Sequence, residues 1–596
     1  MEIEDAINCP LLGDLPVETL QRLASRYRRR DDYHFLEKRQ ARVSIQGGFM
    51  TSFLCEVLPL FFAHRGLKVE LREAPYGTFL SEIYDESSPY WLFEADLTYF
   101  LPTYRDLLHS PSIGDSAECV GERVEAELSI WRLVWEKIKS PIIQLTFTPP
   151  KTRVLDEADG LMPGGKTHYI REVNRTLALN APPHVTLIDG ERLMSRLGAK
   201  WYDERLYRVA KQPFSMEAIP TIGNTLAAGG AAAVGLSRKV LILDLDNTLW
   251  GGIIGDDGLE GIVLGPETPE GESFVAFQEY VKALSERGIV LCVCSKNDRE
   301  LAQEPFIRHS GMVLGLEDIA VFCANFEDKV TNIRSISEAL NLGLNSFVFV
   351  DDSPVECAFV REKLPEVWTI ELSDDPSEFP SLVDRAIPFP TSRITNEDIS
   401  RTNSYRELGK VHDGIETATD IDSFLKGLKP VAIVETVRND TIDRISQLIS
   451  KTNQFKLNPT ILSSAEVRAW AENILAIRFQ DRLQDYGIVA VAVLEPDEGN
   501  DTLLIRNWVM SCRVFSRRLE YLTLELIAAR AQSANLSTLR LNFQLTKRNG
   551  FLHALLLELG FQNNTEAGWF QTDTSSRKSM PAHFIDCDLY HSPTPF

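Results

Sequence analysis

No apolar run in this chain reaches the roughly 18 residues that a membrane-spanning helix requires, so a bilayer-embedded protein is not expected. Its opening stretch, MEIEDAINCP, is acidic where a secretory signal would be basic, and a cytoplasmic location is the expectation. Positive charge is also short. With 62 Lys and Arg against 85 Asp and Glu, the formal net charge of -23 argues against a nucleic-acid-binding role for the chain as a whole, because a phosphate backbone needs a basic face. The acidity serves mainly solubility. Cysteines are few and unpaired: Cys9, Cys55, Cys119, Cys292, Cys294, Cys323, Cys357, Cys512 and Cys587 show neither metal-ligand spacing nor a disulfide framework. Reduced thiols are expected, with room for one reactive group. What is present is ample core material. At 596 residues and 44% hydrophobic content, the chain should form two to four globular domains.

Three segments read differently, and together they predict an α/β protein of three domains. In the first, residues 1–225, strand-like runs (ARVSIQGGF, LKVELREAP, SPIIQLTFTPP, HVTLIDG) alternate with helical ones such as VEAELSIWRLVWEKIK. An Ala- and Gly-rich stretch, NTLAAGGAAAVG at 224–235, reads as a linker closing that domain. The second, 236–390, carries the buried-strand runs KVLILDL, GIVLCVCS and NSFVFVDD. It ends at IPFPTSRITNED. The third, 391–596, opens with a helical stretch around 403–425 and continues with GIVAVAVLE and DTLLIRNWVM as strands and RRLEYLTLELIAARAQ as a helix.

Chemistry concentrates in the second segment. A parallel strand ending in Asp244-Leu-Asp246-Asn-Thr248 carries two carboxylates past its C-terminal edge, where open α/β sheets hold ligands. Such groups repel one another unless a cation lies between them, and Mg²⁺, an oxygen-seeking ion, is the expected one. Ser295 ends GIVLCVCS, Lys329 lies in NFEDKV, and the pair Asp351-Asp352 follows NSFVFV. A phosphoryl group needs each of these. Mg²⁺, held by Asp244, Asp246, Asp351 and Asp352, neutralises its oxygens together with Lys329; Ser295 donates a hydrogen bond, Asp244 attacks phosphorus and Asp246 shuttles the proton.

That constellation resembles the haloacid dehalogenase superfamily, with its DxDxT strand (Asp244, Asp246, Thr248), Ser/Thr, Lys and acidic pair. LDLDNTLWGGIIGDDG, VCSKND and FVDDSPVE are similar, more narrowly, to the FkbH-like family of polyketide pathways. The resemblance implies an SGNH-hydrolase-like first domain, a haloacid-dehalogenase-like Rossmannoid second domain and an acetyltransferase-like third. It also implies an activity: a glyceryl unit is taken from 1,3-bisphosphoglycerate, held as an enzyme thioester, freed of phosphate and passed to the phosphopantetheine of an acyl carrier protein. Only the hairpin-like GGIIGDDGLEGIVLG separates Leu249 from the next helix, so the site should be open, as a protein-borne substrate requires.

A thioester needs a cysteine, and two candidates stand open. Cys294 precedes Ser295 near the cation site, where positive potential favours thiolate, although the same residue on a buried strand also reads as core packing. Cys512, in NWVMSCRVFSRRLE, lies between a strand and a helix where an acetyltransferase-like fold places its acyl thioester. That fold's pyrophosphate loop carries glycines in an Arg-x-x-Gly-x-Gly pattern; here Arg513, Ser516 and Arg518 occupy it, which suits a pantetheine arm better than coenzyme A. Arg517 and Arg518 are candidates to meet an acidic carrier. In the first domain, Gln46-Gly47-Gly48 stands where SGNH enzymes have Gly-Asp-Ser, and no Asp-x-x-His pair occurs near Asp203, so hydrolase activity is not expected; Ser52 and Cys55 read as ordinary helix residues. Two other functions compete with glyceryl loading: a plain Mg²⁺-dependent phosphatase acting on a small phosphomonoester or a phosphoprotein, and a non-catalytic assembly scaffold.

Overall fold

The computed structural model describes residues 3–29, 39–391, 394, 399, 401, 405, 421–452, 454–482, 484–497, 501–515, 517–546, 549–563, 568–574 and 582–588. Most of the helical stretch expected at 403–425, and the end of IPFPTSRITNED, fall outside these. The chain is α/β with parallel sheets and forms two units: Met1–Leu236 with Arg385–Arg393, and Ser237–Asp384 with Ile394–Phe596. No described helix is long and apolar enough to cross a membrane.

The first unit is built on a parallel sheet of five strands, β1 (Arg39–Gly47), β2 (Leu67–Glu73), β3 (Leu97–Leu101), β4 (Ile142–Leu145) and β5 (Val185–Ile188), in the order β2-β1-β3-β4-β5. Residues 224–235 do not form a linker. Residues 224–233 belong to a buried helix, Ala218–Ala233, whose small side chains let neighbours approach closely. A Cβ on Gly223 would lie 2.8 Å from the Phe61 ring, and one on Gly230 2.0 Å from the Tyr99 hydroxyl. Tyr99 Oη donates to Leu226 O at 3.1 Å. Glycine inside a helix costs about 1 kcal/mol relative to alanine, and here that cost admits two aromatic rings against the backbone. The same unit is completed by a distant piece of chain: Arg65 donates to Asn224 Oδ1 (2.8 Å), Ile387 O (2.8 Å) and Ala386 O (3.3 Å).

The SGNH-like features sit as follows. Gln46 is buried at the end of β1 and donates to Ser44 Oγ, Ser52 Oγ donates to Glu73, and Asp203 caps the helix Glu204–Ala210. Burial, with Glu73 nearby, pushes the Cys55 thiol up to about 12.

The second unit holds two sheets. Its first is parallel, with β6 (Val240–Leu243), β7 (Val290–Ser295), β8 (Ile319–Ala324), β9 (Phe347–Asp351) and β10 (Trp368–Glu371) in the order β10-β9-β6-β7-β8. Helices cover both faces of such a sheet, so its central strands are apolar along their length; β6, β7 and β9 are buried at every position. The other sheet is mixed. It runs β17-β18-β16-β15-β14-β13-β11-β19, where β11 is Val431–Glu435, β12 Phe455–Lys456, β13 Ile474–Gln480, β14 Asp485–Pro496, β15 Thr502–Met510, β16 Thr538–Asn542, β17 Gln562–Asn563, β18 Trp569–Asp573 and β19 Asp586–Asp588; β12 pairs with β15.

Candidate active site

Strand order places the site. β6 lies between β9 and β7, so the loops leaving these three strands at their carboxyl ends share one rim. The helices that follow β7, β8 and β9 start on side-chain caps. Asp328 accepts from Thr331 N at 2.9 Å and starts the helix Lys329–Ala339; Ser353, followed by Pro354 at the first helical position, starts Pro354–Lys363; Asp298 caps Arg299–Arg308. Lys329 is therefore delivered to the rim as the first residue of a helix.

The structure brings Asp244, Asp351, Asp352 and Lys329 together. Lys329 Nζ lies 2.8 Å from Asp244 Oδ2 and 2.5 Å from Asp351 Oδ2, and all three residues are buried. Asp351 Oδ1 accepts from Ser353 N at 2.8 Å, and Thr248 Oγ1 stands 3.5 Å from Asp352 Oδ1. Asp244 Oδ1 is buried and has no hydrogen-bond partner. Oxygens of Asp244, Asp351 and Asp352 lie within 4.8 Å of one another. Three carboxylates against one ammonium leave an excess of negative charge, and it registers on the acids: burial and then Asp244 push Asp351 up to about 6 and raise Asp352 as well. Burial pulls Lys329 down, but Asp244 and Asp351 outweigh it and hold its ammonium above lysine's ordinary value. The residues thus fit a bound cation. An orphaned carboxylate oxygen and two mutually repelling neighbours are what an oxygen-liganded ion such as Mg²⁺ satisfies.

Asp246, expected among the metal ligands through its carboxylate, is not part of this group. Asn247, with φ 52°, lies between it and Thr248, and its Oδ1 accepts from Gly252 N. The Asp246 carboxylate is then held by three donors: Trp250 Nε1 and Ile254 N on Oδ1, both at 3.0 Å, and Asn297 Nδ2 on Oδ2 at 2.8 Å. Asn297 also donates to Ser295 Oγ at 3.1 Å, coupling the end of β7 to Asp246. Sequence reasoning singled out neither Trp250 nor Asn297. Both lie inside runs it did single out, DNTLW and VCSKND, but nothing in the spacing says which way a loop side chain turns.

Cys294 sits in the hydrophobic core with Cys292, Ile333 and Phe349. Lys329 favours its thiolate, yet burial dominates and Asp244, Cys323 and Asp351 add to it, so the thiol lies well above the ordinary cysteine range. In this conformation Cys294 is a packing residue. In the third segment, Ser516 and the side chain of Cys512 lie outside the described residues. Arg513 is buried and its Nε donates to Ser511 Oγ at 3.2 Å. Arg517 is not an exposed docking residue: its side chain is 1% exposed, pairs with Asp481 at 3.0 Å and donates to Tyr486 Oη. Arg518 pairs with Asp422 at 2.8 Å and donates to Ala582 O.

The connection from Leu249 to the helix Pro269–Glu286 contains an antiparallel bridge between Gly251 and Val263 and the short helix Ile254–Asp257, with no inserted domain.

A parallel α/β sheet that gathers three carboxylates and a lysine at its carboxyl rim is a site for a cation and an anion together. The N-terminal part of protein BF1531 from Bacteroides fragilis, a structure containing a phosphatase domain complexed with Mg, is 32% identical, with a TM-score of 0.58; the match covers 64% of this chain and 100% of that one. The chain belongs to the family of that protein. Matches to a ribosomal-protein-alanine N-acetyltransferase from Escherichia coli (15% identical, 24% of this chain and 95% of that chain, TM-score 0.20) and to N-acetylglutamate synthase from Neisseria gonorrhoeae (11%, 60% and 99%, TM-score 0.20) are much weaker. No protein-family model and no curated protein matches the chain.

Proposed function

We propose that the chain is a Mg²⁺-dependent phosphatase of the haloacid dehalogenase type, with Asp244 as the nucleophile. The observation that carries this reading is the asymmetry of one carboxylate: Asp244 Oδ2 is fixed by Lys329 while buried Oδ1 has no partner. Mg²⁺ bound by Asp244, Asp351 and Asp352 would supply positive charge to the phosphoryl oxygens. Oδ1 attacks phosphorus, the bond to the leaving oxygen breaks, and Asp246 gives that oxygen its proton; water attacking the aspartyl phosphate with Asp246 as base then releases phosphate. Lys329 and Ser295 face the charge that develops on the phosphoryl oxygens. The test is phosphate release from a phosphomonoester in Mg²⁺ and in EDTA, by wild type and by Asp244→Asn. Release that survives in either EDTA or the variant overturns the reading.

A finer reading makes this phosphatase one half of a glyceryl loader, drawing on 1,3-bisphosphoglycerate and an acyl carrier protein. The runs shared with the FkbH-like family support it, and so does the connection from Leu249 to Pro269, which lacks the inserted domain that would close over a small metabolite. With Cys294 buried, the acyl group on this reading falls to Cys512 or directly to the carrier's own thiol. Intact mass after incubation with 1,3-bisphosphoglycerate, with and without a phosphopantetheinylated carrier, decides. A hydroxylamine-labile glyceryl mass on either protein is expected, and its absence from both leaves the plain phosphatase.

A further inference from the structure

The sheet of the first unit has a carboxyl rim of its own. The chain lays down β1, crosses to β2 on one side and returns to place β3 on the other, and open α/β sheets take ligands in the crevice where that order reverses. The loop after β1 and the turn after β3 meet there: a Cβ on Gly48 would lie 2.1 Å from Asp106 Oδ2. Thr103 fixes the turn. Its Oγ1 accepts from Arg105 N at 3.2 Å, and its main-chain N donates to Asp106 Oδ2 at 2.7 Å.

That turn begins a stack of tyrosines and cations. The Arg105 guanidinium lies over two rings, 4.3 Å from the centroid of Tyr104 and 4.0 Å from that of Tyr207. Lys166, the first residue of the helix Lys166–Asn180, brings its ammonium to 4.9 Å from the Tyr104 ring, and Lys211 stands 5.2 Å over Tyr207. A ring face holds a cation but leaves its charge in place. The carboxylates nearby are engaged: Glu204 pairs with Arg105 at 2.5 Å, Asp106 accepts from Thr103, and Asp159 accepts from Thr167 N at 2.9 Å. Among the described residues neither lysine has a carboxylate within ion-pair distance.

Two of these cations are partly desolvated. Arg105 Nη1 is buried and has no acceptor. Burial, and then Arg105, hold the half-buried Lys166 ammonium below lysine's ordinary value, against a smaller opposite pull from Asp159. An orphaned guanidinium donor beside an ammonium of like charge is what an oxyanion satisfies. Tyr76, from the loop after β2, completes the rim. Its hydroxyl neighbours Tyr207 and Asp106, it is 45% exposed, and no described cation or aromatic ring stacks on it. A bare tyrosine face next to cations suits a planar group that carries negative charge.

We propose that this rim binds a small organic anion, with a planar ring against Tyr76 and a phosphate or carboxylate held by Lys166 and Arg105, Lys211 adding charge. The site owes nothing to the Asp244 chemistry, whose residues all belong to the second unit. AMP and benzoate carry both features, ribose 5-phosphate carries the charge without the ring, and adenosine the ring without the charge. In calorimetry on the full chain with EDTA present, at least one of AMP and benzoate binds, more weakly as salt rises, and at least tenfold tighter than ribose 5-phosphate or adenosine. AMP without benzoate identifies a phosphate ligand, and benzoate without AMP a carboxylate.

Lys166→Met, which keeps the stem over Tyr104, and Tyr76→Ser, at an exposed position, each weaken that binding at least tenfold. Should either variant fail to fold, acetylation of Lys166 in wild type, read by mass spectrometry, reports the same contact: saturating AMP or benzoate, whichever binds, protects it. Failure of both AMP and benzoate to bind, equal binding by adenosine or ribose 5-phosphate, binding unchanged in folded variants, or acetylation indifferent to the bound compound overturns the proposal. AMP binding that disappears in Asp244→Asn overturns it too, since it then belongs to the carboxylate site of the second unit.

Discussion

Lys329 holds one oxygen of Asp244 at 2.8 Å and leaves the other, buried, without a partner. Replacing Lys329 with Met leaves Asp244 and Asp351 facing each other across a buried gap. Breaking a buried pair in this way costs about 3–5 kcal/mol, so metal-free Lys329→Met should melt well below wild type. Mg²⁺, now the only cation available to both carboxylates, should raise its melting temperature more than it raises that of wild type. Phosphate release should fall by at least about 100-fold. Melting and turnover like those of wild type would remove Lys329 from the site.

Asn297 acts through another residue. It donates to both Asp246 and Ser295, so Asn297→Ala should free the Asp246 carboxylate from one of its three donors and leave the metal group intact. We expect kcat to drop by about tenfold, a fraction of the 10²–10⁴ that a proton-transfer group contributes, with KM and the Mg²⁺ requirement nearly unchanged. Asn297→Asp, which keeps the shape but cannot donate from its carboxylate, should not rescue. A loss confined to KM would mean that Asn297 touches substrate instead.

Cys294→Ala should keep phosphate release and cost about 1 kcal/mol of stability, because a buried, uncharged thiol contributes only its packing. In native protein, iodoacetamide should modify exposed Cys119 and spare Cys294 until denaturant is added. Rapid labelling of native Cys294 would restore it as a candidate acyl carrier.

The metal group was legible in the sequence because a parallel strand declares its own end: VLIL, VLCVCS and FVFVD are apolar until the residue that leaves the sheet. Trp250 and Asn297 were not, since their direction is set by the left-handed turn at Asn247 and by loops rather than by any period. Arg517 was read as an exposed docking residue because its own helix start is rich in charge; Asp481 and Tyr486, more than thirty positions away, bury it. The Ala218–Ala233 helix was mistaken for a linker for a related reason. Alanine and glycine are the residues of both a loose tether and a tightly packed helix, and what separates the two here is Phe61 and Tyr99, remote in sequence.

Asp106 offers a test in the first unit. Burial lifts its carboxyl to about 6, although Thr103 donates to it from both main chain and side chain. Because the folded value exceeds the unfolded one, its contribution to stability is fully present below about pH 4 and is lost as the pH rises through about 6. Asp106→Asn, which can still accept from Thr103, should match wild type at low pH and melt a few degrees higher at pH 8. A wild-type melting curve with the same pH dependence as the variant would refute this.

Arg65 sets a schedule for synthesis. Two of its acceptors, Ala386 O and Ile387 O, lie more than three hundred positions downstream, beyond the entire carboxylate-bearing sheet. At about 5–20 residues per second, the ribosome needs on the order of ten to thirty seconds to travel from the end of the Ala218–Ala233 helix to the segment that supplies them. During that interval the nascent first unit has a guanidinium positioned for carbonyls that do not yet exist. Two hydrogen bonds of the first unit therefore form only after the carboxylate-bearing sheet has been synthesised.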